Sequence, residues 1–345
     1  MEAKISKPKN KFTHYLKKHN NNSMYIDECD SNEIEDIIKE MNVSKSTGPY
    51  SIPTSILKTF STILCEPIAI LINKSLEEGV FPNYLKIASV RPIFKKNEKV
   101  MCGNYRPISL LSNLSKVFER VMYTRTVKFL EKYNVIYKLQ FGFRKHYSTN
   151  HALLSIAESI RKALDNKEYT CGVFVDLEKA FDTVSHSILL SKLNHYGIRG
   201  VVNDWFSSYL SDRFQTVNIN GETSDQLQIT CGVPQGSILG PLLFLIYIND
   251  MNSAFKHALV YHFEDDTNLL YSDRNPKRLK KIMENELKLL YFWLCANRLS
   301  LNVSKTEFII FRPPRKTLNT RILLKLNGIT IHESNKIKYL GLLLD

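Results

Sequence analysis

Apolar positions along the chain alternate between a helical period and short runs that suit β-strands. The run Cys171–Val175 and both flanks of the triplet Glu264–Asp266 are rich in apolar, aromatic and β-branched residues, which predicts strands there. Pro276 opens a helical pattern that continues through Ala296. Further helices are predicted at 31–41 with Ser31 as the N-cap, 54–78, 111–133, 185–196, 201–211 and 237–250. Further strands are predicted at 84–99, 215–220, 227–230, 307–311 and, as a closing hairpin or a sheet edge, at 322–326 with 337–344.

This order of elements predicts an α+β fold in which helices pack beside a mainly antiparallel sheet. With 345 residues, the chain is long enough to bury a sizeable core, as one large domain or as two subdomains. Residues 1–30 are basic and poor in apolar positions at their start, so we expect a flexible tail in front of a domain over residues 31–345.

Three carboxylates occupy strand ends in this pattern. Asp176 ends the strand predicted at 170–176, whereas Asp265 and Asp266 lie where a tight hairpin turn would join two strands. If the two elements are neighbours in one sheet, their acids converge at one edge. A fixed cluster of acids suits the binding of two Mg²⁺ ions for an in-line phosphoryl displacement, which predicts a nucleotidyl-transfer site. The alternative is that an Asp-Asp pair is ordinary turn chemistry.

The net charge of +13 indicates a polyanionic partner such as nucleic acid, although many Lys-rich proteins are basic without binding one. The six cysteines are scattered without a C-x-x-C pair, which favours reduced thiols over a disulfide framework or a zinc finger. The motifs of zincins, α/β-hydrolases and P-loop enzymes do not occur. No signal peptide or apolar stretch of membrane-spanning length is visible, so we expect an intracellular protein, nuclear or cytoplasmic, without a membrane partner.

Three segments resemble successive palm motifs of reverse transcriptases, specifically of the non-LTR retrotransposon (LINE-type, jockey-like) group. They are Phe174–Val184, Gly232–Pro241 and Phe263–Thr267. Four more segments match the same group in the order in which the family carries them: Asn104–Leu111, Gln140–Lys145, Leu301–Thr306 and Tyr339–Gly341. The likeness runs from about residue 40 to the end of the chain, and its strength comes from seven matches in order.

The resemblance implies the right-hand fold of reverse transcriptases, with fingers at about 40–165, a palm at about 166–345 whose antiparallel sheet packs on helices, and a thumb that is largely absent. It implies an RNA-directed DNA polymerase that transfers deoxynucleotides with two Mg²⁺ ions, for which Mn²⁺ is a possible substitute. The implied partners are an RNA template, a DNA primer and deoxynucleoside triphosphates, and the oligomeric state stays open.

The resemblance also assigns roles to individual residues. Asp176, Asp265 and Asp266 would hold the metal ions, and Lys305 would protonate the leaving pyrophosphate. Phe181 would lie beneath the incoming sugar and exclude a 2′-hydroxyl group, unless it is a core phenylalanine. The remaining positions would contact the nucleotide (Gln235, Gly236, Arg106, Lys95 and Lys96) or the template and primer (Arg144, Tyr339 and Gly341).

Structural alternatives exist for most of these positions. Gly236 could simply shape a loop, Lys95 and Lys96 could form a solvated basic hairpin, and Tyr339 could be a buried tyrosine at a sheet edge. Glu264 departs from the family, which usually has a small residue before the Asp-Asp pair. Its side chain either faces the metal site and repels substrate or is turned away by strand alternation. A second hypothesis is therefore a catalytically inactive retrotransposon remnant that retains the fold and nucleic-acid binding.

Overall fold

The computed structural model describes residues 9–17, 19–43, 48–50, 52–96, 98–314, 316–317 and 322–345. The described residues form nine α-helices and fifteen β-strands. The helices are α1 (Ser31–Glu40), α2 (Thr54–Thr59), α3 (Ser61–Glu78), α4 (Asn113–Lys132), α5 (Thr149–Asp165), α6 (His186–His195), α7 (Val201–Leu210), α8 (Leu239–Ile248) and α9 (Pro276–Ala296). The strands are β1 (Ile87–Phe94), β2 (Tyr105–Leu110), β3 (Tyr169–Val175), β4 (Leu177–Glu178), β5 (Arg213–Ile219), β6 (Glu222–Thr223), β7 (Leu227–Ile229), β8 (Leu259–Phe263), β9 (Asp266–Asp273), β10 (Ser300–Leu301), β11 (Glu307–Phe311), β12 (Leu324–Leu326), β13 (Ile329–Glu333), β14 (Ile337–Tyr339) and β15 (Leu342–Leu344).

The chain divides into two compact units, each built from several stretches of sequence and named here after its larger sheet. The six-stranded unit contains residues 9–17, 136–183 and 248–345, and the five-stranded unit contains residues 19–135 and 184–247. Residues 136–165, which were expected in the fingers, thus belong to the six-stranded unit, and residues 184–247, expected in the palm, belong to the other. The division into fingers and palm near residue 166 stays a prediction.

The six-stranded sheet has the strand order β12-β13-β11-β3-β9-β8. Its neighbouring pairs are antiparallel apart from β11 with β13, which confirms the predicted mainly antiparallel sheet. Helix α5 packs on β3 and β8, and helix α9 packs on β9 and β12. Strand β3 is buried along nearly its whole length, which explains why its sequence is a continuous apolar run instead of an alternating one.

A buried carboxylate fixes the chain where it enters β8. Glu286 of α9 is 3% exposed and accepts the backbone N–H groups of Lys256 and His257 at 2.8 Å and of Ala258 at 3.0 Å. Three charge-assisted hydrogen bonds satisfy a carboxylate that is otherwise removed from water. The contact therefore ties α9 to the segment that leads into the strand before the acidic turn.

The five-stranded unit is built around a second sheet and an aromatic cluster. Strand β1 pairs with β2 in antiparallel and with β5 in parallel orientation. The ring of Phe81 contacts those of Phe118, Trp205 and Tyr209 edge to face, with centroids 5.1–6.0 Å apart. The indole N–H of Trp205 also donates to Ser75 Oγ at 2.9 Å. Buried aromatic pairs of this geometry add to the hydrophobic stabilisation of the core.

Helix α8 is the buried helix that was predicted within residues 237–250. Glu119 accepts the N–H of Ile238 at 2.6 Å at its N-terminal end, and Lys192 Nζ donates to the carbonyl of Tyr247 at 2.5 Å near its C-terminal end. Both side chains are buried, and each satisfies a backbone group at one end of the helix. Among the residues that the structure describes, no helix is both long enough and apolar enough to cross a membrane.

Two predicted helices differ in detail from those observed. The N-cap of α1 is Asp30, not Ser31: the Asp30 side chain accepts the N–H of Glu33 at 2.8 Å. The helix predicted over 54–78 is split into α2 and α3 at Phe60, whose backbone (φ −107°, ψ 21°) leaves helical geometry. The apolar period continues across Phe60, so periodicity alone does not reveal this break.

The two ends of the sequence also differ from prediction. Of the flexible tail predicted over residues 1–30, residues 1–8 and 18 lie outside the described part, but Met24 and Cys29 are buried within the five-stranded unit. The backbone N–H of Met24 donates to the carbonyl of Gly197 at 2.8 Å, so this segment is packed. At the other end, β12 pairs with β13 across Asn327 and Gly328 and forms an edge of the six-stranded sheet, as the sheet-edge alternative predicted, whereas β14 pairs with β15 in a separate hairpin.

Candidate active site

Three carboxylates meet at one end of two neighbouring strands. Strands β3 and β9 pair in antiparallel register with Val175 opposite Thr267, so Asp176 and Asp266, the next residue on each strand, lie at the same sheet end. Strands β8 and β9 pair as far as Phe263 with Asp266, which leaves Glu264 and Asp265 as a two-residue turn. The predicted hairpin and the predicted convergence of the acids are both confirmed.

Mutual repulsion and burial shape the protonation of this cluster. Asp266 is exposed by its total surface, but protein atoms crowd its carboxyl group. This desolvation, followed by the negative charges of Asp265, Asp176 and Glu264, raises the pKa of Asp266 to about 6. Desolvation and the charge of Asp265 also raise the pKa of Glu264. The cluster therefore carries negative charge that a cation would stabilise.

The loop that carries Lys305 is fastened to the backbone of Asp176. Asn302 donates its N–H to the carbonyl of Asp176 at 2.8 Å, and Asp176 donates its own N–H to Thr306 Oγ1 at 3.3 Å. Lys305 Nζ lies 3.6 Å from Asp176 Oδ2, with 64% of the lysine side chain exposed. A pair this exposed is held weakly, so the ammonium group can exchange Asp176 for another anion.

The three carboxylates fit Mg²⁺ by donor chemistry and by charge. Mg²⁺ prefers oxygen ligands and is often held by one or two carboxylates together with substrate phosphates. As the side chains stand, the described residues contain no group of three or more His, Cys, Asp or Glu that is arranged to hold an ion. Asp176 instead faces Lys305. Asp176, Asp265 and Asp266 are therefore the residues that would supply oxygen ligands to such an ion.

A loop over residues 139–143 packs directly against the acidic turn. The N–H of His262 donates to the carbonyl of Leu139 at 3.0 Å, and the N–H of Phe141 donates to the carbonyl of His262 at 2.8 Å. A Cβ atom added at Gly142 would overlap the backbone nitrogen of Glu264 and lie 2.9 Å from its Cα. Glycine is required here because the two backbones approach more closely than a side chain allows.

Phe181 and Arg144 both lie in the six-stranded unit. Phe181 is half-buried on the turn after β4, and its ring contacts that of Phe143 edge to face with centroids 6.4 Å apart. Arg144 donates from Nη1 to the carbonyl of Gln140 at 3.1 Å, and its guanidinium lies 4.2 Å from the ring centroid of Tyr147. These contacts orient Arg144 beside the loop that carries Gly142.

Tyr339 and Gly341 occupy the hairpin of β14 and β15. Tyr339 is 4% exposed and contacts the ring of Phe174 with centroids 5.5 Å apart. Its ring belongs to the core beneath α5, so its position is that of a buried tyrosine. Burial, followed by the charge of Asp266, raises the pKa of Tyr339. Gly341 lies in the turn, where its surroundings are open.

The nucleotide-contacting residues predicted from the sequence cluster in the five-stranded unit. Ser109 of β2 donates its N–H to the carbonyl of Gln235 at 2.7 Å. Gly236 has φ +121°, and an added Cβ would lie 2.6 Å from the carbonyl oxygen of Ser109. Arg106 is an exposed residue of β2, and Lys95 and Lys96 are exposed in the loop after β1. The three cations lie on the hairpin of β1 and β2, and the Gln235–Gly236 turn packs against Ser109 of that hairpin, whereas the acids and Lys305 belong to the other unit.

Sequence reasoning missed a buried acid that supports the Gln235–Gly236 turn. Glu119 is fully buried in α4, accepts the N–H of Ile238, and lies within 3.3 Å of Ser115 Oγ. Burial raises the pKa of Glu119. An acidic residue inside the apolar stripe of a predicted helix was the available signal, because such a residue is seldom buried without a partner.

Acids at the ends of paired antiparallel strands, a nearby lysine and helices packed on the sheet form the arrangement expected of a two-metal nucleotidyl-transfer site. Residues 93–344 match the family described as reverse transcriptase (RNA-dependent DNA polymerase), and the chain belongs to this family. Its fold is therefore the reverse-transcriptase fold, and the resemblance inferred from the seven sequence segments is confirmed.

Curated relatives from Drosophila melanogaster are similar over 91% of this chain. They are a probable RNA-directed DNA polymerase from transposon BS (32% identical), a probable RNA-directed DNA polymerase from transposon X-element (30%) and the RNA-directed DNA polymerase from mobile element jockey (28%). The chain spans about a third (35%) of the length of each of these relatives.

Proposed function

We propose that this chain is an RNA-directed DNA polymerase of a non-LTR retrotransposon, which extends a DNA primer on an RNA template with deoxynucleoside triphosphates. The observation that carries the proposal is the pairing of β3 with β9, which brings Asp176 and Asp266 to one sheet end beside Asp265. Family membership and the names of the relatives support it. They do not favour the inactive-remnant alternative.

Asp176, Asp265 and Asp266 would hold two Mg²⁺ ions, with Mn²⁺ as a possible substitute. When bound, the metal ions supply charge stabilisation for the attacking and leaving oxygens of the displacement. With a pKa of about 6, Asp266 would be mostly ionised at neutral pH and able to act as a ligand, and only below pH 6 would a proton compete with the ion. Lys305 would exchange its contact with Asp176 for the leaving pyrophosphate, to which Nζ could donate a proton.

The remaining predicted residues would bind the nucleotide and the nucleic acid. The half-buried ring of Phe181 would pack under the sugar and exclude a 2′-hydroxyl group. Arg144 and the turn at Gly341 would contact the template and primer, with Tyr339 holding that hairpin from the core. The nucleotide would be gripped by one group of residues, namely Gln235, Gly236, Arg106, Lys95 and Lys96.

The test is Mg²⁺-dependent extension of a DNA primer on an RNA template by the full chain. We expect extension by the parent, its loss in Asp265→Asn, and no change in Asp225→Asn, a matched substitution at an exposed position of the five-stranded unit. Equal extension by the parent and Asp265→Asn would contradict the assigned site.

A Glu264→Ala variant separates the proposal from its alternative. A silent parent with an active Glu264→Ala variant would show that Glu264 has disabled an intact site. If every variant is silent while the parent still binds an RNA–DNA duplex, the chain is an inactive remnant that retains nucleic-acid binding.

A further inference from the structure

Phe143 adopts a backbone conformation that its side chain disfavours. Its φ is +52°, in the left-handed region where glycine, asparagine and aspartate are the usual residues. A bulky aromatic residue persists there only when the surrounding structure compensates for the strain, and such residues are concentrated at functional sites. Other residues of this chain share the conformation, so the strain alone does not identify a function.

The segment around Phe143 is held tightly on the side of the acidic turn. Phe141 is 7% exposed and hydrogen-bonded to the backbone of His262, and Gly142 lies against the backbone of Glu264. Gly142 also donates its N–H to Gln140 Oε1 at 2.8 Å. The backbone therefore has little freedom to relieve the strain at Phe143, and the direction of the Phe143 ring is set by the loop.

That direction brings the ring of Phe143 to Phe181. The two centroids are 6.4 Å apart and the ring planes cross at 80°, which is the edge-to-face arrangement that aromatic pairs prefer. Both residues are only half-buried, so their contact lies at the protein surface and not in the core. The strained residue thus touches the residue proposed to pack under the sugar of the nucleotide.

We propose that Phe143 is a positioning residue which fixes the ring of Phe181 and thereby sets the discrimination between deoxyribonucleotides and ribonucleotides. This inference rests on the proposed function, because Phe181 can select a sugar only in a polymerase. Phe143 acts through Phe181 and not by touching the nucleotide.

The physical reason is the rotational freedom of a half-buried aromatic side chain. The ring of Phe181 excludes a 2′-hydroxyl group only while the ring occupies the space that the hydroxyl group of a bound ribonucleotide would need. Phe181 lies on the turn of residues 179–183, in which Asp182 donates its N–H to the carbonyl of Lys179 at 2.9 Å. This bond fixes the backbone, and contacts to the ring must restrict its rotamer. Phe143 supplies such a contact from a loop that is itself anchored to the acidic turn.

The test compares single-nucleotide extension with dTTP and with UTP, and its readout is the ratio of the two kcat/KM values. Phe143→Gly removes the ring at a position where glycine adopts φ +52° without strain, so the loop should keep its path. We expect this variant to lower the dTTP/UTP ratio by about three- to tenfold, the range that corresponds to losing one aromatic pair. Phe143→Tyr keeps the ring and should keep the ratio.

Two controls separate positioning from loss of structure. His146→Gly relieves a similar left-handed residue (φ +66°) three positions after Phe143, and it should leave the ratio unchanged. In a Phe181→Ala background, Phe143→Gly should have no further effect on the ratio, because a residue that acts through another loses its effect when that residue is removed.

Each outcome decides the proposal. A lowered ratio in Phe143→Gly that disappears in the Phe181→Ala background supports it. An unchanged ratio in Phe143→Gly, or an equal fall in both backgrounds, overturns it while leaving the polymerase assignment intact. A parent that extends with neither nucleotide shows that the proposed function has failed, and the inference falls with it.

Discussion

Replacing Gly142 by alanine should displace the acidic turn and lower the activity more than the stability. The added Cβ would overlap the backbone nitrogen of Glu264 and lie 2.8 Å from its Cγ and 2.9 Å from its Cα. A flexible side chain could move aside, but the backbone of a two-residue turn moves only together with Asp265. Overpacking of this kind costs about 1–3 kcal/mol.

The expected effect on activity is larger than the effect on stability. For a unit of this size, about 1–3 kcal/mol corresponds to a fall in Tm of about 3–10 °C. If the three carboxylates act as proposed, displacing them by about 1 Å should lower the rate of primer extension about 100-fold. Thermal unfolding followed by circular dichroism and primer extension at 25 °C would measure the two effects separately.

Gly103→Ala is the matched control for stability. An added Cβ at Gly103 would have no neighbouring atom within 4 Å, so the substitution should leave Tm within about 2 °C of the parent. If Gly142→Ala has the same Tm and the same extension rate as the parent, the loop over residues 139–143 does not constrain the turn. The positioning proposed for Phe143 would then lose its anchor as well.

Two further predictions concern pH and a buried carboxylate. Because burial and neighbouring acids raise the pKa of Asp266 to about 6, protons should compete with the cation for this carboxylate below pH 6. Calorimetric titration should show the Mn²⁺ affinity falling by up to about tenfold for each pH unit below 6. Asp266→Asn should remove most of this pH dependence. A pH-independent affinity in the parent would contradict the assignment. Glu286→Ala leaves three backbone N–H groups without their acceptor and should lower the free energy of unfolding in urea by about 2–3 kcal/mol. The control is Glu284→Ala, on the same helix but half-exposed, which should change the free energy of unfolding by less than about 0.5 kcal/mol. Equal effects of the two substitutions would refute the role of the buried carboxylate.

The strands of the acidic site could be predicted because their local signals agree. The apolar run before Asp176 and the two apolar flanks of the acidic turn predict β3, β8 and β9, and the observed pairing follows. Helix α9 was predicted with both ends correct, since Pro276 supplies a strong start signal. Local composition and tertiary packing favour the same structure at these positions, so sequence reasoning succeeds there.

Features that depend on long-range packing could not be predicted in this way. Each compact unit is assembled from stretches of chain that are far apart in sequence, and which stretches pack together does not follow from local patterns. Phe143 belongs to the matched segment Gln140–Lys145, but no role was predicted for it. Neither its left-handed backbone nor its contact with Phe181 follows from local propensity. The burial of Tyr339 was foreseen as an alternative to a primer contact, but its packing partners, α5 and Phe174, do not follow from the pattern of one hairpin.

Glu264 shows why the alternation of strand residues fails as a guide at a turn. Alternation predicts opposite faces for successive residues of a pleated strand, but Glu264 has φ +58° and precedes β9, so the rule does not apply to it. Its Cγ lies close to Gly142, so its side chain starts along the neighbouring loop. Its charge nevertheless contributes to the raised pKa of Asp266, so the side chain is electrostatically coupled to the acidic cluster. A glutamate in this position strengthens the negative potential at the site, which should favour cation binding and oppose the approach of a triphosphate. Glu264→Ala should therefore weaken Mn²⁺ binding while lowering the KM for the nucleotide, and a change of both in the same direction would contradict this account.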